Sequence, residues 1–214
     1  FIQKPEQVAD YLKRASSMKS AINAHCLGKN GLYCDGPGVE KYSQHTQVWA
    51  VLSETAVEDN WTRLMRCAMD DATLAKCSVA MAFYLFRALE KANLYDETHA
   101  LWQPWRQMIK DHLTTCVEDS VSTRSDCHAW GALTLYEAPS VLLGIRPTQP
   151  GYMSAEIRPH SLPVVDQAGG SVITPHGLVQ IAWKRTEEGI KLDVNAPGVF
   201  RTIENQGVIY LTVN

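Results

Sequence analysis

The sequence predicts an α+β, multidomain chain in which helical hairpins precede a small antiparallel β-sandwich. Apolar residues recur at helical spacing as far as about Pro147 and alternate with polar residues beyond it. The later apolar stretches are also short and separated by glycine-containing turns. We therefore expect a helical domain over residues 1–147 and a β-domain over residues 148–214.

Composition and charge are those of an ordinary globular protein. The 214 residues suffice for a sizeable core. A net charge of -3 and the lack of a basic stripe argue against nucleic acid as a partner. No apolar run is long enough to cross a membrane, so no membrane partner is expected. The first residue is Phe1, and no signal peptide is recognisable. A cleaved or shortened chain explains this start better than a natural one, and the localisation stays open.

Six cysteines are present, but none forms a CxxC pair or has zinc-finger spacing. We expect buried, reduced thiols in preference to a disulfide set, because a free cysteine behaves as a small apolar side chain. No metal site and no cofactor are expected. The cysteines are Cys26, Cys34, Cys67, Cys77, Cys116 and Cys127.

The first half of the chain predicts four helices. Pro5 begins the first, whose apolar residues continue at helical spacing to Ile22. A glycine-rich loop follows, and Ser43 can cap a second helix running to about Leu52. The third helix is amphipathic and covers residues 61–68. The fourth, residues 79–91, is apolar on nearly all sides, and Asn93 is expected to end it in the left-handed conformation.

Two further helices are expected before the β-domain, each interrupted by a proline. Asp96 can cap the first of them, and Pro104 should kink or split it. The second is expected from about Cys127 to Leu143, with a kink at Pro139 and Gly144 as its C-cap. Paired helices joined by loops are typical of a hairpin array or part of an α/α toroid.

Alternating apolar residues predict several strands in the last third of the chain. Their even spacing favours an antiparallel sandwich or meander. The expected strands cover residues 155–157, 177–184, 190–194, 199–203 and 208–213.

Three stretches together resemble the α-L-rhamnosidases of glycoside hydrolase family seventy-eight. The most specific is the Ser-Asp-Cys-His-Ala-Trp block, which ties a histidine and a tryptophan to an expected helix start. The stretches are Gly31–Pro37 with Tyr42–Gln47; Leu113–Glu118 with Thr123–Trp130; and Leu143–Pro147 with Pro150–Tyr152, Ile157–Pro159, Thr174–Gly177 and Trp183.

The resemblance implies an (α/α)6 barrel followed by a β-sandwich, of which this chain would hold about half of the barrel. It also implies removal of terminal α-L-rhamnose from a glycoside or polysaccharide, with inversion. Members of the family carry an acidic upstream segment that supplies the general acid, and this chain has no counterpart of it. We therefore expect the isolated chain to be inactive.

Inverting glycosidases use two carboxyl groups about 6.5–9.5 Å apart, with room between them for a water molecule. The resemblance assigns the role of general base to Glu118. Arg124 lies six residues further on and is expected to keep that carboxylate ionised. The alternative is a solvated loop glutamate beside Asp119.

Four residues are candidates for substrate binding. His128, expected in the first turn of a helix, could bond a sugar hydroxyl or the attacking water, or be a core histidine. Trp130 could stack on the sugar, but on a helix it would point away from His128 and could instead be core. Asp35 and His45 flank the glycine-rich loop and could line a cavity, or form an Asx-turn and a plain helix start.

Two alternatives remain from the sequence. Other (α/α)6 glycosidases, including unsaturated uronyl hydrolases, could share the toroid but should lack the block at residues 125–130. A non-catalytic carbohydrate-binding or interaction module would not need the missing acid. A half-toroid would also expose apolar surface, which predicts self-association.

Overall fold

The computed structural model describes residues 4–122, 124–160, 162–205 and 207–213. Phe1 and Thr123, both named above, lie outside the described residues. The chain divides into two compact units. The first runs to Thr98 and also includes Pro104–Gly131, while the second holds His99–Gln103 and everything from Ala132 onward.

The first unit is helical, and most of the expected helices are confirmed. Helix α2 packs against both α3 and α4. The apolar residues that they bury include Val51, Leu64 and Phe86. The helices, the last of which begins just outside this unit, are α1 (Pro5–Cys26), α2 (Gln44–Leu52), α3 (Trp61–Asp70), α4 (Ala82–Lys91) and α5 (Gln103–Lys110).

Local sequence signals account for several of these helix ends. The Ser43 hydroxyl accepts a hydrogen bond from the amide of Thr46 at 3.3 Å, which caps α2 as expected. Asn93 adopts a φ of 57° just after α4. Pro104 lies where the 3-10 segment Tyr95–Trp102 gives way to α5, so the helix is split there.

The predicted helix from Cys127 to Leu143 is wrong in its first part, whereas the expected interruption at Pro139 and the left-handed Gly144 (φ 78°) are present. A 3-10 turn covers Ala129–Gly131, a short helix α6 covers Thr134–Glu137, and a π-helical turn covers Ala138–Leu142. The chain at Cys127 instead lies beside an earlier segment, since the His128 amide donates to the Cys116 carbonyl at 2.8 Å. Pro139 has no N–H to donate, and the wider π turn lies at that proline.

The second unit contains two antiparallel sheets, so the α+β class is confirmed. The first sheet has the strand order β1-β2-β7-β6 and the second has β3-β4-β5. The strands are β1 (Ile145–Pro147), β2 (Ser154–Ile157), β3 (Gln167–Thr174), β4 (Gly177–Thr186), β5 (Gly189–Asn195), β6 (Phe200–Asn205) and β7 (Val208–Val213).

Both sheets contribute to one apolar cluster. Ile157 and Leu211 come from the first sheet, and Val179 and Ile181 come from the second. Along β4 the side chains alternate between buried and exposed, as a strand with one covered face requires. The indole of Trp183 donates to the Leu142 carbonyl at 2.6 Å and so ties the π turn to the second sheet.

The second compact unit contains both the segment from Ala132 to Pro147 and all of the strands. The domain division at residue 147 stays a prediction. Within the described parts of the chain, none of the helices is both long and apolar enough to cross a membrane.

Candidate active site

The loop between α5 and α6 folds back on itself and so fixes the backbone of Glu118. Its amide donates to the Ser125 carbonyl at 2.9 Å, and its carbonyl accepts from the amide of Ala80 at 3.1 Å. Two residues earlier, the Cys116 carbonyl accepts from His128 at 2.8 Å. Helix α4 begins just after this contact, at Ala82 rather than at the expected Val79.

The Glu118 carboxylate faces two nitrogen-bearing side chains. Its Oε2 lies 3.4 Å from Nε of Arg124 and 3.8 Å from Nδ1 of His128. The Glu118 side chain is 18% exposed, so it is mostly withdrawn from water but still accessible, while Arg124 is 79% exposed. The expected Arg124 partner is therefore present, although solvent screens so open a pair. A carboxylate in this setting can accept a proton from a bound water.

His128 and Trp130 are brought together, contrary to expectation. Their ring centroids are 5.9 Å apart with an 85° interplanar angle. The predicted divergence assumed an α-helix, whereas the indole lies in the 3-10 turn Ala129–Gly131. His128 also does not lie in the first turn of an α-helix, so the expected effect of a helix dipole on its ring does not apply. Trp130 is 72% exposed in this chain.

Asp35 and His45 line a cavity of about 340 Å³ in the first unit. Oδ1 of Asp35 accepts hydrogen bonds from the hydroxyls of Ser43 at 2.7 Å and Thr46 at 3.2 Å. His45 lies in the first turn of α2. The cavity is therefore partly polar at this end, and the remaining lining includes apolar and aromatic side chains.

The cavity has an aromatic wall that the sequence analysis missed. Trp49 lines the cavity, and its ring lies 4.7 Å from that of Tyr84 at an angle of 44°. The available signal was its spacing, because Trp49 follows His45 by four residues and so lies on the same face of α2. Tyr33 also lines the cavity and donates its hydroxyl to Asn23 Oδ1 at 2.6 Å. Burial raises the pKa of Tyr33, so the phenol stays a donor.

Two buried glutamines of α2 hold the neighbouring loops. Oε1 of Gln47 accepts a hydrogen bond from the Tyr33 amide at 2.9 Å, and its Nε2 donates one to the Tyr33 carbonyl at 2.7 Å. Oε1 of Gln44 accepts a hydrogen bond from the Cys77 amide at 2.6 Å, and its Nε2 donates one to the Ala68 carbonyl at 2.6 Å. Gln47 therefore satisfies both backbone groups of Tyr33, and Gln44 satisfies the Cys77 amide and a carbonyl in the last turn of α3.

The predicted site residues thus fall into two groups. Glu118, His128 and Trp130 form one, and Asp35 and His45 form the other. In the described part of the chain, no hydrogen bond or ion pair joins the two groups. Nor do the described residues hold a cluster of three or more His, Cys, Asp or Glu side chains suited to a metal ion.

Comparison with known proteins finds similarity to α-L-rhamnosidases. The model of the bacterial α-L-rhamnosidase C-terminal domain matches residues 144–199. A curated α-L-rhamnosidase from Alteromonas sp. (strain LOR) is 32% identical over 72 residues, which cover 33% of this chain and 8% of that protein.

Two solved structures extend the similarity over most of the chain. The GH78 family rhamnosidase of Bacillus sp. GL1 has a TM-score of 0.77 and 25% identity, covering 90% of this chain and 22% of that one. The Streptomyces avermitilis α-L-rhamnosidase, solved with L-rhamnose, has a TM-score of 0.70 and 18% identity, covering 96% of this chain and 23% of that one. This chain therefore spans less than a quarter of either of these two relatives.

The fold and the matches are similar to part of a glycoside hydrolase. More narrowly, they support a likeness to a C-terminal fragment of the α-L-rhamnosidases of glycoside hydrolase family seventy-eight.

Proposed function

We propose that this chain supplies the general base of a longer inverting α-L-rhamnosidase, and that Glu118 is that base. One observation carries the proposal. The Glu118 carboxylate is withdrawn from water, its backbone is fixed on both sides, and it faces Arg124 and His128. The alternative of a freely solvated loop glutamate does not fit a side chain that is 18% exposed.

In the proposed reaction, Glu118 takes a proton from a water that attacks the anomeric carbon of the sugar. A second carboxyl group, outside this chain, protonates the leaving oxygen from the opposite face. His128 holds the water or a sugar hydroxyl through a ring nitrogen. Arg124 complements the charge of the carboxylate before the proton moves.

The proposed substrate is a terminal α-L-rhamnosyl residue of a glycoside or polysaccharide. Rhamnose carries a methyl group as well as hydroxyls, which suits a site with exposed aromatic surface and a few polar groups. Trp130 offers an exposed ring beside His128. Asp35 and His45 supply polar groups to a cavity whose wall includes Trp49.

We further propose that the helices form part of an (α/α)6 toroid and that the two sheets form a sandwich, with the domains dividing near residue 147. Helix α1 supports the first point. Its apolar residues Val8, Tyr11, Leu12 and Met18 are each more than half exposed. An uncovered stripe of this kind favours association, so the isolated chain is expected to self-associate. A monodisperse monomer in light scattering would contradict this.

A non-catalytic carbohydrate-binding module is the second candidate. The exposed Trp130 and the cavity beside Trp49 favour it, because binding sugar needs neither the acid nor a complete toroid. Such a module would bind rhamnose in the longer protein without turnover.

The stereochemistry of the first product tests the main proposal. Proton NMR of a fresh digest of an aryl α-L-rhamnoside by the longer protein should show the β-anomer of rhamnose before mutarotation. The isolated chain should give no hydrolysis. An α-anomer would mean that Glu118 is not the base of an inverting reaction. Turnover by the isolated chain would mean that the acid lies within it.

A further inference from the structure

We propose that Cys26 and Cys34 form a disulfide in exchange with a low-molecular-weight disulfide, and that this bond fastens the loop bearing Asp35 to the end of α1. The inference does not depend on the proposed function. Its basis is the antiparallel backbone pairing between the residues around Leu27 and those around Tyr33.

The two cysteines oppose each other across a short antiparallel pairing. Leu27 pairs with Tyr33 in a β-bridge, and the same register sets Cys26 opposite Cys34. The Cys34 amide donates to the Cys26 carbonyl at 2.9 Å, and the Gly28 amide donates to the Leu32 carbonyl at 2.8 Å. Residues opposed in this way have Cα atoms about 5.5 Å apart. That separation falls within the range of natural disulfides, about 4.4–6.8 Å.

Both side chains line the same cavity. Burial, and after it the neighbouring Cys34 thiol, raises the pKa of Cys26. Each of the two is a free thiol in this structure. Cys34 also donates from Sγ to the Gly36 carbonyl at 3.2 Å. Linking the two sulfurs would replace this weak bond by a covalent one.

Access for an oxidant is provided by the cavity. Both cysteines line it, together with Asp35 and His45. Cys26 is only 8% exposed, whereas Cys34 is half-buried. The more accessible Cys34 therefore reacts first, and Cys26 completes the bond from within the fold.

The exchange balances with oxidised glutathione as the small disulfide. The Cys34 thiolate attacks one glutathione sulfur, the S–S bond breaks, and one glutathione thiolate leaves. The Cys26 thiolate then attacks the Cys34 sulfur and displaces the second glutathione. Two thiols are oxidised, one disulfide is reduced, and the protons of the cysteines pass to the glutathione thiolates through solvent.

The consequence is a stiffer wall for the cavity. Asp35 directly follows Cys34, and its Oδ1 accepts from Ser43, the cap of α2. With the disulfide formed, the backbone at Asp35 is tied both to α1 and to the start of α2. The oxidised chain should also melt at a higher temperature than the reduced chain, because the bond restricts the unfolded state.

Mass spectrometry of the whole chain tests the proposal. The reduced protein is incubated under native conditions with oxidised glutathione, blocked with iodoacetamide and digested with trypsin. Cleavage after Lys19, Lys29 and Lys41 leaves Cys26 and Cys34 on separate peptides, residues 20–29 and 30–41. The expected result is one linked mass of these two peptides.

Exposed Cys127 is the internal control, since it should acquire glutathione under the same conditions. Cys34→Ser should abolish the linked mass while leaving the Cys127 adduct. The proposal is overturned if Cys26 and Cys34 are recovered as separate alkylated or glutathionylated peptides while Cys127 is modified. It is also overturned if the link forms no more readily in the folded chain than in urea.

Discussion

Oε2 of Glu118 lies 3.8 Å from Nδ1 of His128, although the two residues are ten positions apart in the loop. The backbone bond from His128 to Cys116 produces this approach by folding the loop back. The same fold brings Trp130 against the His128 ring. The group is therefore a product of loop pairing rather than of helical periodicity.

Gln47→Leu should destabilise the first unit strongly. The substitution keeps the size of the side chain but leaves the buried Tyr33 amide and carbonyl without their partner. An unsatisfied buried group costs about 1–3 kcal/mol, and two are created here. Urea denaturation followed by circular dichroism measures the loss. Gln149→Leu, at an exposed position, is the control and should change stability by about 0.5 kcal/mol or less. Equal effects of the two changes would contradict the role given to Gln47.

Gly144→Ala should be more damaging than Gly207→Ala. Both glycines have positive φ, 78° and 75°, so both substitutions carry about 1–2 kcal/mol of backbone strain. At Gly144 a Cβ would also lie 2.2 Å from the Arg158 carbonyl, whereas nothing lies within 4 Å of Gly207. A further 1–3 kcal/mol or so is expected from this overlap. Thermal unfolding of the two variants measures the difference, and similar midpoints would show that the backbone at Gly144 is not held against Arg158.

Raising the pH should weaken the fold through Cys77. Burial raises the pKa of this thiol from its ordinary value of 9.0 to about 12. The positive charge of Lys76 lowers this pKa, but its effect is smaller than that of burial. Between these two values the unfolded chain releases the proton while the folded chain keeps it, so the free energy of unfolding falls as pH rises. The contribution is at most about 1.4 kcal/mol per pH unit.

The measurement compares the wild type with Cys77→Ala between about pH 9 and 11. Other groups titrate in both proteins, so the difference isolates the thiol. The stability of the wild type should decline more steeply than that of the variant. Parallel curves would mean that Cys77 is not held in a desolvated setting.

Trp130→Ala should weaken rhamnose binding with little effect on stability. The ring is 72% exposed, so its removal opens no core cavity. A loss of roughly tenfold in affinity corresponds to about 1.4 kcal/mol of stacking. Calorimetric titration of the longer protein with rhamnose measures it, and Trp130→Phe is the matched control that keeps a ring. An unchanged affinity in Trp130→Ala would remove this residue from the proposed site.

Local signals predicted the elements that depend on local chemistry. Ser43 caps α2, Asn93 ends α4 in the left-handed conformation, and Pro104 divides the segment before α5. These outcomes need only a side chain and the backbone beside it. The α+β class followed from the change in periodicity for the same reason.

Elements set by distant partners were not predictable in this way. The first part of the helix expected from Cys127 is replaced by a loop whose His128 amide is bonded to the distant Cys116 carbonyl. Strand β3 was missed because the glycines at 169 and 170 are typical of a loop, yet each pairs with β4, opposite Ala182 and Ile181. The buried glutamines Gln44 and Gln47 were overlooked because only the fold shows which loops they hold.

The most direct test of the central claim compares Glu118→Gln with Asp119→Asn in the longer protein. Both changes remove one carboxylate from adjacent residues of the same loop, and only Glu118 faces His128. With an aryl α-L-rhamnoside, Glu118→Gln should lower kcat by about 10²–10⁴-fold, as expected for loss of a general base. Asp119→Asn should change it little, since the amide oxygen can still accept from Val121. If Glu118→Gln keeps full activity, or if both changes reduce kcat alike, Glu118 is not the general base.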